Sequence, residues 1–195
     1  MSSKLPVVAI IGRANVGKSS LFNRVLKKQQ AIVAREAGTT RDNVFGKVDS
    51  PHGQFWLVDT AGLKDPDDDF EASIQEQITE AADASDVILV VVDSTSYPSD
   101  EDRIVAKKAL KSKKPVILVL NKVDLKGSLS IDNFKQLGIR KSIQTSAEHN
   151  SGIYELIDET TACLPSNAKK AEKTKDDILR IALIGRPNVG KSYLF

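Results

Sequence analysis

Gly12-Arg13-Ala14-Asn15-Val16-Gly17-Lys18-Ser19 is the stretch that decides the fold of this chain. An apolar run over 5–11 leads into it, and 20–26 reads as a helix behind it. Strand, glycine-bounded loop, Lys-Ser and helix together make G-x-x-x-x-G-K-[ST] a phosphate-binding loop. Phosphates carry several negative charges, so backbone N–H groups must come close with no side chain in the way. Gly12 and Gly17 allow that approach, and the first helical turn adds free donors and a positive dipole end. Lys18 is expected to reach the β- and γ-phosphates and the Ser19 hydroxyl to ligate Mg²⁺. Asn15, Val16, Gly17 and Ser20 join them as expected nucleotide contacts. The loop specifies a nucleoside triphosphate without naming its base.

The 195 residues suffice for one α/β domain and a remainder. A formal net charge of +2 gives no strong overall field toward nucleic acid or membrane. No apolar run approaches the roughly 18 residues that span a bilayer, and no signal-peptide pattern opens the chain. The single cysteine, Cys163, excludes an internal disulfide and fits a reducing cytoplasm, where it packs on a helix as a small apolar residue. A cytoplasmic α/β monomer with no membrane contact and no disulfide partner is expected.

Short apolar runs alternate with longer amphipathic stretches. Strands are expected at 7–11, 43–50, 54–59, 87–93, 115–121 and 142–145, with a hairpin turn at Pro51-His52-Gly53. Helices are expected at 18–28, 70–83, 99–111, 131–137 and 153–163. Continuous apolar strands separated by helices mean a mostly parallel six-stranded sheet covered on both faces, whose ligands lie beyond the carboxyl ends of the strands. The informative residues do follow strands. Asp59-Thr60-Ala61-Gly62 ends the third, so Asp59 can hold Mg²⁺ through a water and Gly62 can offer its N–H to a γ-phosphate. Asn121-Lys122-Val123-Asp124 ends the fifth. Guanine presents a ring N–H beside an exocyclic amino group, a pair that the Asp124 carboxylate accepts and adenine lacks. Asn121 can bond the guanine edge or brace the loops, and the stem of Lys122 can cover the base. A buried site of this kind rejects the wrong base by roughly 10⁴-fold or more. Thr145-Ser146-Ala147-Glu148 ends the sixth strand. A small residue such as Ala147 lets its N–H approach a base carbonyl, with Ser146 and Glu148 beside it and Gly152 in the same loop.

The polar stretch 34–42 reads as a mobile loop whose Thr hydroxyl and N–H could close on Mg²⁺ and the γ-phosphate. Thr40 is the choice, with Thr39 kept open. Lys18, Thr40 and Gly62 are the expected catalytic contributors, and Ser19, Thr40 and Asp59 the expected Mg²⁺ ligands. The acidic run at 65–69 reads as a solvated loop. His52 is expected in solvent, His149 as a polar loop residue and Trp56 in the core.

Taken in order, these stretches resemble the five motifs of the translation-factor-like GTPases, a P-loop NTPase fold. Gly12-Arg13-x-Asn15-Val16-Gly17-Lys18-Ser19 with Gly38-Thr39-Thr40-Arg41-Asp42 is similar to the EngA (Der) family and its relatives Era and MnmE. The resemblance covers residues 5–164. Ras-like proteins place a water-orienting Gln after the motif glycine, whereas Leu63 stands here. An apolar residue cannot hold the attacking water, and the resemblance implies that a K⁺ ion near the phosphates does part of an arginine finger's work, with Asn15 as its ligand. It also implies a role in assembly of the large ribosomal subunit.

From 166 the composition changes to a charged stretch without apolar periodicity, read as a linker over 166–177. A second strand then runs into Gly185-Arg186-Pro187-Asn188-Val189-Gly190-Lys191-Ser192. Val7–Phe22 and Arg180–Phe195 share 11 of 16 residues at a constant offset of 173, the sign of a repeated domain. Tandem GTP-binding domains mark EngA within this group. The expected organisation is therefore a GTP-binding domain over 1–165, the linker, and the start of a second domain over 178–195. That start lacks a guanine loop and makes no site, as in a shortened product or an incomplete gene. The expected activity is slow hydrolysis of GTP to GDP and phosphate with Mg²⁺, raised by K⁺, which makes the chain a nucleotide-dependent switch. The competing reading is a domain that binds GTP and GDP without appreciable hydrolysis. An ATP-dependent enzyme is disfavoured by Asn121 and Asp124.

Overall fold

In the computed structural model, residues 5–28, 33–35, 44–59 and 84–165 are described. The expectations for Thr39, Thr40, Gly62, Leu63, the helix at 70–83 and everything from 166 onward lie outside these residues. The described chain runs β1 (Val7–Ile11), α1 (Lys18–Lys28), β2 (Val33–Arg35), β3 (Val44–Ser50), β4 (Gly53–Asp59) and β5 (Val87–Asp93). It continues through α2 (Asp100–Lys111), β6 (Val116–Asn121), a 3-10 helix (Ile131–Leu137), β7 (Lys141–Gln144) and α3 (Ile153–Cys163).

The strands form one sheet in the order β2-β3-β4-β1-β5-β6-β7. β1 runs parallel to both β4 and β5, and β5, β6 and β7 are parallel in turn. The hairpin strand β3 is antiparallel to β4 and to β2. All six expected strands are present. The three-residue β2 adds a seventh at the edge, too short to carry an apolar pattern of its own.

Alternation along the central strands divides the core into two layers. Val87, Leu89 and Val91 pack with Leu21, Phe22 and Val25 of α1 and Leu156 and Ile157 of α3. Ile88, Val90 and Val92 face Val105, Ala106 and Ala109 of α2 and Phe134 and Leu137 of the 3-10 helix. Burial on both faces is why these strands are continuously apolar. On β4, Phe55 and Leu57 join the α1 layer, while Trp56 between them, expected in the core from its place on a strand, is only half-buried.

Local chemistry fixes the helix ends. Ser99 caps α2: its side chain accepts from the Asp102 N–H, and the Asp102 carboxylate accepts from the Ser99 N–H, a capping box. The segment 131–137 winds as a 3-10 helix and stops at Gly138 in the left-handed region (φ 73°). No helix among the described residues is long and apolar enough to cross a membrane. The ends of β1, β4, β5, β6 and the segment after β7 lie along one edge of the sheet. The chain order reverses on either side of β1, where open α/β sheets bind ligands.

Candidate nucleotide site

The loop after β1 turns where its glycines permit. Gly12 has φ 155°, and a Cβ there would fall on the Val91 carbonyl oxygen; Gly17 has φ 93°, and a Cβ there would fall on the Asn121 amide. Asn15 is also left-handed (φ 63°), a conformation that Asn tolerates better than most residues. Val16 is fully buried in the α1 layer, so only its backbone is free to meet a ligand. Ser19 and Ser20, in the first turn of α1, are exposed.

Lys18 is buried, and its ammonium donates to the carbonyls of Gly12 (2.9 Å) and Arg13 (2.7 Å), which fixes it within the loop. Burial lowers its pKa; the Asp59 carboxylate raises it, and the Arg13 cation lowers it further. Asp59 ends β4 opposite Ile10 of β1 and is itself buried. A buried carboxylate one strand from the loop and an exposed hydroxyl at the helix start are hard oxygen donors of the kind that Mg²⁺ takes from protein in small number. Among the described residues, no cluster of three or more His, Cys, Asp or Glu makes a metal cage.

Asn121 is the join between loops. Its Nδ2 donates to the Val16 carbonyl (3.0 Å), and its Oδ1 accepts from the Ala147 N–H and the Thr145 hydroxyl (both 3.2 Å). The side chain is 1% exposed, so each bond stands in place of water that cannot reach it. Of its two possible roles, bracing is the one these bonds describe. The Ala147 N–H, expected on a base carbonyl, is here given to Asn121. Lys122 is left-handed (φ 67°), and its ammonium donates to the Asn15 carbonyl and the Asp93 carboxylate, both at 2.7 Å.

Asp124 lies beside the loop after β7, an exposed residue whose side chain is itself only 16% exposed. Its carboxyl is held below the ordinary carboxylate pKa, first by a hydrogen bond from the Ser146 side chain, with the His149 imidazole adding to the effect. His149 Nε2 lies 3.5 Å from Asp124 Oδ2, and the His149 N–H donates to Ser146 Oγ (3.0 Å). Glu148 is exposed, and its backbone carbonyl faces α1 through a hydrogen bond from Arg24. The sequence-derived residues Lys18, Asp59, Asn121, Lys122, Ser146 and Ala147 thus meet along one edge.

Three further residues serve this edge, two of them outside the motifs and the third, Arg13, inside the phosphate loop but with no role assigned from sequence. Arg24 donates to the Ala147 (2.6 Å) and Glu148 (2.9 Å) carbonyls, tying α1 to the last loop. Asp93 ends β5 and receives Lys122 on one oxygen and the Thr95 N–H (2.9 Å) and hydroxyl (2.7 Å) on the other. Partial burial pushes its pKa up, but these donors outweigh it and leave the carboxyl below its ordinary value. Val-Val-Asp at a strand end is the same signal as Leu-Val-Asp at Asp59 and could have found it. Arg13 donates to Ser96 Oγ (3.1 Å) and lies 3.4 Å from the buried carboxylate of Asp102, so the phosphate loop also leans on the α2 cap.

Comparison with known proteins identifies the family. Residues 7–122 match the family described as 50S ribosome-binding GTPase. The chain is 43% identical over 189 residues to GTPase Der of Gemmatimonas aurantiaca, covering 96% of this chain and 42% of that protein. It is 44% identical over 191 residues to GTPase Der of Caldanaerobacter subterraneus subsp. tengcongensis, covering 96% of this chain and 43% of that protein. The chain therefore spans less than half the length of these curated relatives. Among solved structures, Era in complex with MgGDPNP and a 16S ribosomal RNA segment superposes with a TM-score of 0.67 at 31% identity. That match covers 83% of this chain and 57% of Era.

Proposed function

This chain belongs to the family of 50S ribosome-binding GTPases, and from that premise we propose that it binds GTP and hydrolyses it to GDP and phosphate as a nucleotide-dependent switch. The carrying observation is Asn121, whose buried side chain joins the phosphate loop to the segment after β7. Binding of triphosphate and guanine are thereby made one structural event. Lys18, fixed inside the loop, neutralises charge on the β- and γ-phosphates, and N–H groups of Gly17, Lys18 and Ser19 hold their oxygens. Asp124, kept ionised by Ser146, accepts the guanine N–H pair. Lys122 holds the Asn15 carbonyl and so steadies the loop while its stem flanks the base.

Ser19, Asp59 and Thr40 are the residues we assign to Mg²⁺, which when bound spreads the charge developing on the transferring phosphoryl group. Gly62 would add a backbone donor to the γ-phosphate. Asn15 is our candidate ligand for a K⁺ ion that assists turnover, since Leu63 cannot orient the attacking water. On this reading 1–165 is a first GTP-binding domain, 166–177 a linker and 178–195 the start of a second. The partner is the large ribosomal subunit during its assembly, inside the cytoplasm; ribosome binding is taken from the family description and the assembly role from the resemblance to EngA.

The test is GTP hydrolysis by this chain with Mg²⁺, in K⁺ against Na⁺, with Asn15→Ala alongside. Faster turnover in K⁺ that the variant loses is expected. Equal turnover in both ions would remove the K⁺ assignment, and GTP binding without turnover would make the domain a nucleotide-binding module. Displacement of bound GDP by ADP as readily as by GTP would overturn the guanine reading.

A further inference from the structure

Two segments of the chain concentrate basic charge. The segment 103–114 carries six cations and no acid, and 133–141 carries three cations and no acid, in a chain of formal net charge +2. The remainder is therefore net acidic by seven. The two basic segments adjoin: Gly138 lies against Leu110, and Arg103 Nη2 donates to Gln136 Oε1 (3.1 Å). Between them runs a groove of about 460 Å³ lined by Arg103, Lys107, Leu110, Lys111, Gln136 and Leu137.

Helix stability accounts for part of this. Lys108 and Lys111 sit in the last turn of α2, where cations complement the dipole. It does not account for Lys113 and Lys114 beyond that helix, nor for Arg140 on the approach to β7. The cations crowd one another: burial lowers the Lys108 pKa, and the neighbouring Lys111 charge lowers it further. Three others face carboxylates, Arg103 with Asp100 (2.6 Å), Lys135 with Asp132 (2.7 Å) and Lys141 with Glu159 (2.8 Å). These are water-exposed pairs worth little in stability and easily exchanged. Lys107, Lys111, Lys113 and Arg140 are exposed.

We infer that the groove between α2 and the 3-10 helix, with its rim of lysines and arginines, docks the sugar–phosphate backbone of an RNA, at the end of the sheet remote from the nucleotide. A polyanion gains from a dense row of cations because neutralising each phosphate releases condensed counterions. The half-exposed Leu110 and buried Leu137 give the groove an apolar side, and Arg103 a planar guanidinium, surfaces on which an unstacked base can lie. The choice of RNA over an acidic protein rests on the ribosome part of the reading above; the site itself rests on charge and shape. Helix α2 connects the two ends, since its cap contacts Arg13 of the phosphate loop and its last turn lies about 18 Å further on.

The experiment uses the whole chain, a fluorescein-labelled stem-loop RNA and fluorescent GDP, read by anisotropy over a salt series. Wild-type protein is expected to bind the RNA with an affinity that falls as salt rises. The triple variant Lys107→Gln/Lys111→Gln/Arg140→Gln should bind at least about ten-fold more weakly, with a log–log salt slope shallower by roughly 0.7 for each phosphate that is no longer neutralised. Its GDP affinity should be unchanged. The charge-keeping triple Lys107→Arg/Lys111→Arg/Arg140→Lys should retain RNA binding, which separates the effect of charge from that of fold. Undiminished RNA binding by the Gln variant would overturn the inference, as would displacement of RNA by polyglutamate at equal charge concentration. Failure of the wild type to bind RNA at low salt, with GDP still bound, would also overturn it and leave the nucleotide reading standing.

Discussion

At the carboxyl edge of the sheet, polar groups are buried and consumed by one another. Lys18, Asp59, Asn121, Thr145 and Ser146 are all less than a tenth exposed, and the bonds of Asn121 run between segments far apart in sequence. Around the groove between α2 and the 3-10 helix most of the cations are exposed, and three of them pair with carboxylates at the surface. A buried, cross-tied site costs most when one partner is removed, because the others are stranded without water. An exposed basic surface loses affinity in small, additive, salt-dependent steps. The first arrangement suits recognition of one small ligand in one geometry; the second suits a large, repetitive polyanion. Substitutions at either end should therefore differ in size and in kind.

The largest effect is expected from Asp124→Asn. The new amide accepts through one oxygen and turns its donors toward guanine's own, so preference for GTP over ATP should fall by roughly 10⁴-fold. Competitive displacement of fluorescent GDP measures it. Asp124 lies at the surface of the loop and is not in the core, so thermal stability should barely move. A large drop in melting temperature would show that this carboxylate braces the fold and does not read a base.

Asn121→Ala comes next and should strike both stability and binding. It leaves the Val16 carbonyl, the Ala147 N–H and the Thr145 hydroxyl without their partner in the interior, a loss of about 3 kcal/mol in urea unfolding. RNA binding by the folded fraction should persist, which sharpens the contrast between the ends. Gly17→Ala should follow with about 2 kcal/mol, since φ is 93° and its Cβ meets the Asn121 amide. If Gly17→Ala is neutral in both unfolding and GDP titration, the loop is not held as tightly as its geometry implies.

What the sequence made legible was local. The phosphate loop and Asn121-Lys122-Val123-Asp124 are contiguous words whose chemistry follows from residue types, and Val87–Asp93 is apolar up to its final Asp because both its faces are buried. What escaped was set by distance along the chain. Arg24 meets the Ala147 carbonyl across 123 residues and Arg13 meets Ser96 across 83, and no spacing rule connects them. Strand β2 exists through its pairing with β3, and a short amphipathic stretch such as 131–137 does not declare whether it winds as an α- or a 3-10 helix. The basic groove was hidden by arithmetic, because a net charge of +2 sums the nine cations of 103–114 and 133–141 with a remainder of net charge −7.

Acid should expose the smallest of these differences. Asp93 ends the strand β5 between the two core layers and anchors Lys122, which in turn holds the Asn15 carbonyl. Its carboxyl pKa is lowered in the folded chain from the ordinary 3.8. A depressed carboxylate contributes stability that is complete above the unfolded value and is lost as pH falls through the folded one. Unfolding free energy should therefore decline below about pH 3.8 more steeply in the wild type than in Asp93→Asn, with both curves flat near neutrality. The variant keeps an acceptor for Thr95 but turns an NH2 toward Lys122, so the ion pair is read from the difference in acid slope and not from stability at neutral pH. Nucleotide affinity followed over the same range should fall with the wild-type curve. Parallel acid curves for the two proteins would mean that Lys122 is held by the Asn15 carbonyl alone, and that the tie from β5 to the phosphate loop contributes nothing measurable.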